Sequence, residues 1–161
     1  MADGDFVIRM ALTPADFNDC AEVWLEGSLA GHDFVDGDFW RANREAMAEI
    51  YLPGASVWMI FLTTTNTLAG FAAVADDRLE ALFIRPDFWG RGLGQRLLNH
   101  LFGLYPRLSL RVYQNNERAT AFYKQFGFVV TGSNRCRHTG ETELEMTRPA
   151  PLDQQKSPGH Y

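Results

Sequence analysis

The chain has 161 residues, 46% of them hydrophobic and 22% charged, and its net charge of -5 disfavours non-specific nucleic-acid binding. This length and composition predict one globular domain, and no apolar run reaches the roughly 18 residues of a membrane span. The N-terminus lacks the features of a signal peptide, and Cys20 and Cys136 match no metal or redox spacing. We therefore expect a cytoplasmic protein with reduced thiols, no bound metal, no membrane partner and no nucleic-acid partner.

Apolar spacing and turn residues predict the elements of the N-terminal half. A strand over residues 5–11 precedes a helix that begins with Thr13 as N-cap and Pro14 at its first position. Residues 27–38 read as a loop. A second helix, two strands joined by a Thr/Asn turn and a third strand closed by Pro86 follow. Their predicted ranges are 39–52, 55–64, 67–76 and 78–84.

The C-terminal half continues the alternation of strands and helices. In order, the predicted elements are a helix over 93–102, a strand over 107–113, a helix over 117–126, and strands over 126–132 and 141–149. This order predicts an α/β protein with a mixed sheet flanked by helices, in which residues 78–113 make a right-handed parallel crossover. We expect a single domain over residues 1–149 and a mobile tail over residues 150–161, which are rich in Pro and Gln.

Three glycines, Gly90, Gly92 and Gly94, lie between a predicted strand and the helix that follows it. Unpaired backbone N–H groups and the helix dipole favour an anion at such a helix start, and glycines would let the chain wrap a phosphate group. A nucleotide P-loop would need Lys and then Ser or Thr after the last glycine, where the chain has Gln95 and Arg96. The GxGxxG dinucleotide fingerprint fails in both frames. A phosphate site of another kind or a structural turn remain as alternatives.

A second motif follows on the next strand–helix unit: "NNERATAFYKQFGF", residues 115–128. Together with "ALFIRPDFWGRGLG", residues 81–94, it resembles the GNAT superfamily of acetyl-CoA-dependent N-acetyltransferases. The stretches "WLEGSLAGHDF" and "YLPGASVWMI" are similar to small bacterial acetyltransferases of the YiaC and YjaB type. The resemblance covers residues 5 to about 149. It implies an α/β fold with about seven strands in a mixed, mostly antiparallel sheet, about four helices, and a splayed parallel strand pair that forms the cofactor cleft.

The resemblance also implies which residues bind acetyl-CoA, the expected cosubstrate. Backbone groups of Leu82, Phe83 and Ile84 would pair with its pantetheine arm, and Asn116 would hydrogen-bond the cofactor. The pyrophosphate would lie on the backbone amides of Gly90, Arg91, Gly92, Leu93, Gly94 and Gln95. Trp89 stands where this family usually has Gln or Arg. Since backbone N–H groups hold the anion, we expect this departure to cost one side-chain contact.

For catalysis, the resemblance places Tyr123 near the coenzyme sulfur as a general acid, since a phenol of pKa about 10 can protonate a departing thiolate. A glutamate that some relatives use as the base falls here at Arg111, which cannot accept a proton. Glu80 is the candidate base, and His32 or water are the alternatives. The same residues have structural readings, because Tyr123 fits a core position and Asn116 fits a helix N-cap.

The sequence thus predicts an N-acetyltransferase that moves acetyl from acetyl-CoA to a primary amine by direct attack in a ternary complex. His32 and Asp33, in the loop before the second helix, are candidate acceptor-binding residues. A protein lysine, an N-terminal amine and a small-molecule amine all remain possible acceptors, and the protein would be a monomer or a homodimer. The alternative function is a non-catalytic acyl-CoA-binding regulatory module.

Overall fold

The computed structural model of the chain describes residues 5–151, so the predicted tail lies outside the described residues from position 152 onward. The described residues group into two compact units, 5–99 and 100–151. The assignment of residues 1–149 to a single domain stays a prediction.

The N-terminal unit contains a sheet of four strands, β1 (Phe6–Met10), β2 (Ser56–Leu62), β3 (Thr67–Ala75) and β4 (Arg78–Ile84). Each strand pairs antiparallel with the next. Strands β2 and β3 are apolar and buried along almost their whole length, as expected for strands with both faces covered. The predicted hairpin is confirmed, and Asn66 in its turn takes a left-handed conformation with φ 54°.

Helix α1 (Pro14–Gly31) begins where the sequence predicts. Thr13 caps it, because its hydroxyl accepts the Asp16 N–H at 3.1 Å while the Asp16 carboxylate accepts N–H groups in return. The predicted loop over 27–38 is wrong in its first part, since the helix continues to Gly31. The reason is tertiary: a side chain at Gly27 would clash with the Phe83 ring of β4, so a glycine there lets the helix approach the sheet closely.

Helix α2 (Gly37–Ala46) starts two residues earlier than predicted. Asp36 caps it by accepting the Asp38 N–H at 3.0 Å. A π-helical turn over Met47–Tyr51 follows. Apolar residues of α1, the π-helical turn and one face of the sheet form the core of this unit, and they include Cys20, Ala21, Val23, Ala48, Leu52, Met59, Phe71 and Ala81.

Helix α3 spans Leu93–Phe102, as predicted. The C-terminal unit then contains β5 (Leu108–Tyr113), α4 (Glu117–Gln125), β6 (Val129–Arg135) and β7 (Thr142–Arg148). β7 pairs antiparallel with both β5 and β6. The strand predicted over 126–132 begins instead at Val129. Gly127 takes φ 97°, and Phe128 is buried with its ring 5.4 Å from Tyr123, so it packs rather than pairs.

Over residues 5–151 the chain therefore has four α-helices and seven strands in the predicted order. The strand pairings within the two units are all antiparallel. The predicted mixed α/β class is confirmed. The splayed parallel pair stays a prediction.

Candidate functional site

The start of helix α3 leaves backbone N–H groups ahead of its first helical hydrogen bond. That bond runs from the Arg96 N–H to the Gly92 carbonyl at 3.1 Å. The N–H groups of Leu93, Gly94 and Gln95 therefore precede it, at the positive end of the helix dipole. Gly92 has no side chain with which to cap them. This geometry suits an anion, as the sequence predicts.

Two of the three glycines are required by the backbone itself. Gly90 has φ 82° and Gly92 has φ 74°, a left-handed conformation that other residues adopt only at a cost. A Cβ built at either position meets no atom within 4 Å. The loop is thus a genuine turn, and the space beside it is open. The two readings of the glycines, turn and phosphate cradle, are compatible.

Two arginines near this loop point in different directions. The Arg91 guanidinium lies 5.2 Å from the centre of the Phe88 ring and is exposed beside the loop. Arg96 donates to the Phe6 carbonyl at 3.2 Å and lies over the Phe6 ring. Arg91 is therefore the arginine that remains on the loop, whereas Arg96 contacts β1.

The backbone of β4 presents alternate residues to its two sides. The Arg85 N–H donates to the Ala69 carbonyl at 2.8 Å, so this N–H points toward β3. Because the backbone groups of successive residues alternate along a strand, those of Ile84 and Leu82 point away from β3 and those of Phe83 point toward it. Of the three residues expected to pair with pantetheine, Leu82 and Ile84 thus have backbone groups outside the β3–β4 ladder.

Glu80, the candidate base, lies at a β-bulge. The register of the β3–β4 pair shifts between Ala73 and Val74, and the extra residue in β4 is Glu80. Its side chain is 48% exposed, with the carboxylate 3.9 Å from the Arg78 guanidinium. Bulges re-aim side chains and recur beside active sites.

His32 lies in an aromatic cluster, which we define as His32, Phe34, Trp40 and Phe83. The His32 ring centre is 5.2 Å from that of Trp40, 5.7 Å from that of Phe34 and 6.5 Å from that of Phe83. Burial lowers the pKa of His32 to about 4, so its ring is neutral at pH 7. Asp33 beside it is exposed. The structure thus brings a predicted acceptor residue, His32, to Phe83 of the predicted cofactor strand.

The sequence analysis missed two members of this cluster, Phe34 and Trp40. The available signal was the density of aromatic residues after His32 in "HDFVDGDFW". Their contacts with His32 depend on how α1 and α2 pack together, and no local pattern specifies that packing.

In the C-terminal unit, Asn116 and Tyr123 lie on helix α4. Asn116 is its N-cap, with Oδ1 accepting the Ala119 N–H at 3.1 Å. Tyr123 is buried, and its ring centre lies 5.4 Å from those of both Phe122 and Phe128. Burial raises the pKa of the Tyr123 hydroxyl above its ordinary value, so it keeps its proton well beyond neutral pH. A general acid needs that proton.

Arg111 and the two cysteines are not assigned a role by the family resemblance. Arg111 lies opposite Glu145 of β7, with 3.9 Å between Nε and a carboxylate oxygen. Both cysteines are free. Burial raises the pKa of Cys20 to about 12. Burial also opposes ionisation of Cys136, but hydrogen bonds, including those of Thr139, outweigh it and lower the pKa of that thiol.

Two kinds of feature are absent from residues 5–151. No helix there is both long and apolar enough to cross a membrane. No group of three or more His, Cys, Asp or Glu side chains in the same range is arranged to hold a metal ion.

The chain is similar to proteins that are named as N-acetyltransferases. The chain is 34% identical to the peptidyl-lysine N-acetyltransferase YjaB of Salmonella typhimurium over 119 residues, which are 74% of this chain and 81% of the relative. It is 32% identical to the N-alpha-acetyltransferase RimI of Mycobacterium tuberculosis over 163 aligned positions, covering 91% of this chain and 95% of that one. The solution structure of apo YjaB from Escherichia coli superposes with a TM-score of 0.79 at 26% identity, covering 91% of this chain and 99% of that chain.

The model of the acetyltransferase (GNAT) family matches residues 20–128. That range includes most of α1, β4, the glycine loop, Asn116 and Tyr123. The resemblance inferred from two short motifs is confirmed over more than half of the chain. The chain belongs to the GNAT family of acetyltransferases.

Proposed function

We propose that this protein transfers the acetyl group of acetyl-CoA to the side-chain amine of a lysine in a protein, by direct attack in a ternary complex. The observation that carries the cofactor assignment is the start of α3. There, three backbone N–H groups precede the first helical bond, beside two glycines in left-handed conformation. The open space at Gly90 and Gly92 fits a diphosphate, which needs several donors and no intervening side chain.

The residues that would hold acetyl-CoA follow from the family and fit the chain. The amides from Gly90 to Gln95 would bind the pyrophosphate, and the outward backbone groups of Leu82 and Ile84 would pair with the pantetheine amides. Asn116 would add a hydrogen bond while it caps α4. When bound, this cosubstrate supplies an acetyl group activated as a thioester.

The reaction requires two proton transfers, and side chains of this protein would carry them out. The lysine amine must lose one as its nitrogen forms the new C–N bond, and the sulfur must gain one as the C–S bond breaks. We assign the second transfer to Tyr123, whose hydroxyl stays protonated because burial raises its pKa. We assign the first to Glu80, acting directly or through water. The alternative bases are His32 and water.

The preference for lysine over other amines rests on the relatives and on charge. YjaB of Salmonella typhimurium is named as a peptidyl-lysine N-acetyltransferase, whereas the Mycobacterium tuberculosis relative RimI is named as an N-alpha-acetyltransferase. Asp33, Asp36 and Asp38, all exposed near the aromatic cluster, suit a cationic acceptor. A lysine of pKa about 10.4 is neutral in only about one molecule in 2,500 at pH 7, so this acceptor makes the strongest demand on a base.

A matched pair of peptides tests the proposal. One carries a single lysine and a blocked N-terminus, and the other has a free N-terminus with arginine in place of lysine. With acetyl-CoA, we expect thiol release and a mass gain of one acetyl group on the lysine peptide. Acetylation of the second peptide alone would make the protein an N-terminal acetyltransferase. Coenzyme A binding without turnover on any amine, including polyamines and aminoglycosides, would support the non-catalytic alternative.

The assignment of Glu80 predicts that Glu80→Gln lowers kcat about 10²-fold, the usual scale of general-base catalysis, and leaves coenzyme A affinity unchanged. The matched control is Asp77→Asn, which neutralises an exposed carboxylate in the β3–β4 turn and should leave the rate at the wild-type value. A Glu80→Gln rate within about twofold of wild type would assign the proton to His32 or to water.

A further inference from the structure

Trp89 makes a contact that the sequence did not predict. Its indole Nε1 donates to the carbonyl oxygen of Ile84, the last residue of β4, at 2.7 Å. A 3-10 turn over Pro86–Phe88 separates the two residues, and in it the Phe88 N–H bonds to the Arg85 carbonyl at 2.8 Å. This turn reverses the chain and folds the indole back onto the strand end. The contact is at the short end of the range for N–H···O bonds.

The Ile84 carbonyl lies on the side of β4 that faces away from β3, because the Arg85 N–H on the next residue faces β3. It therefore takes no part in the β3–β4 ladder. Under the proposed function, this is one of the outward backbone groups available to a pantetheine amide. In the structure, the Ile84 carbonyl already accepts a hydrogen bond from Trp89.

Trp89 lies at the surface of the protein, unlike the core tryptophans. Trp89 is 41% exposed, whereas Trp40 and Trp58 are 5% and 7% exposed in the core. A structural indole normally buries its ring and satisfies its N–H at the same time. Here the N–H is bonded while part of the ring remains in solvent, so the ring can leave the strand end without opening the buried core.

We propose that the Trp89 indole is a displaceable occupant of the cofactor site: it binds the Ile84 carbonyl in the free protein and yields it to an amide N–H of coenzyme A. This inference rests on the proposed function, because it requires coenzyme A to bind along β4. One hydrogen bond is exchanged for another of similar strength, so Trp89 lowers cofactor affinity modestly without blocking the site.

The test follows the indole N–H signals by ¹H–¹⁵N NMR while unlabelled coenzyme A is added. The chain has four tryptophans, and Trp89→Phe identifies the signal of Trp89. We expect this signal to shift and to exchange faster with water once coenzyme A is bound. The signal of buried Trp58 should keep its place in wild type and variant, which verifies folding.

Calorimetry supplies the second readout. Trp89→Phe keeps an aromatic ring and removes the competing N–H, so it should bind coenzyme A about fivefold more tightly than wild type. The matched control is Trp24→Phe, an indole of α1 that packs on Trp40, and it should bind with wild-type affinity.

The outcomes separate this inference from the proposed function. If wild-type protein binds coenzyme A but the Trp89 signal does not move, the displacement is wrong and the function stands. Weaker binding by Trp89→Phe would likewise overturn it, because the ring would then form part of the bound site. If wild-type protein shows no heat of binding with coenzyme A, the proposed function fails and the displacement fails with it.

Discussion

The molecule contains two strand-to-helix turns that differ in how the first N–H groups of the helix are capped. At the β5–α4 turn, the side chain of Asn116 caps the helix by accepting the Ala119 N–H. At the β4–α3 turn, the residue in the equivalent place is Gly92, which has no side chain, and the N–H groups of Leu93, Gly94 and Gln95 precede the first helical bond. The start of α4 is capped by its own side chain, whereas we propose that the N–H groups at the start of α3 bind a ligand.

The contrast extends to the chemistry we propose. The β4–α3 turn would act through backbone groups, so side chains such as Trp89 would change its affinity for coenzyme A only modestly. Helix α4 would act through one side-chain group, the Tyr123 hydroxyl, and no backbone group can replace it. Substitutions should therefore separate binding at one turn from catalysis at the other.

The largest effect is expected at Tyr123. Phenylalanine keeps the packing against Phe122 and Phe128 and removes only the hydroxyl, so fold and coenzyme A affinity should persist. As a general acid the hydroxyl contributes roughly 10²–10⁴-fold, and kcat and kcat/KM should fall together. Because burial raises the pKa of Tyr123, any alkaline loss of wild-type rate due to this group should lie above pH 10. A pH–rate profile of both proteins measures this. A variant within about threefold of wild type would leave Tyr123 as a packing residue.

An effect of intermediate size is expected from His32 in the aromatic cluster, which should make the free energy of unfolding depend on pH. The folded pKa of His32, about 4, lies below its ordinary 6.5, so the unfolded chain binds more protons between these values. The free energy of unfolding should therefore fall by about 2–3 kcal/mol as the pH drops from 6.5 to 4, beyond the contribution of other groups. Urea unfolding of His32→Phe should lack this component. The exposed His138→Phe control should retain it, and an unchanged slope in His32→Phe would mean that His32 does not carry it.

The smallest effect is expected at the capped turn. Asn116→Ala removes the acceptor for the Ala119 N–H and should cost about 1 kcal/mol, or about 2–4 °C in Tm for a chain of this size. Asn116→Asp keeps the acceptor and should restore most of the stability. If Asn116→Ala has the same Tm as wild type, the Asn116 cap does not stabilise α4, and the two turns do not differ in this respect.

The features that the sequence predicted are those that neighbouring residues determine. Thr13 and Pro14 fix the start of α1, and the glycines fix the β4–α3 turn through left-handed backbone conformations at Gly90 and Gly92. These depend on capping and on φ, which the chain encodes locally. The resemblance to the family motifs then indicated a function for the glycines of the β4–α3 turn.

The features that the sequence missed depend on contacts between distant residues. Helix α1 extends to Gly31 because Gly27 fits beneath Phe83, 56 residues away. From local propensity alone, a glycine at position 27 predicts the end of the helix. The aromatic cluster of His32 was missed for the same reason, and so was the bond from Trp89 to Ile84, which requires the turn at Pro86 to be known first.

The central claim is that backbone N–H groups at the start of α3 hold the pyrophosphate of coenzyme A. Titration calorimetry of coenzyme A into wild type and Gly92→Glu tests it most directly, because the substitution places a negative charge in the cradle. Gly92→Lys carries the same backbone strain with the opposite charge and should lose less affinity. Gly132→Glu adds the same charge at an open glycine of β6 and should bind as wild type. The account predicts at least tenfold weaker binding by a Gly92→Glu protein with wild-type circular dichroism. Unchanged affinity in that folded variant would contradict it.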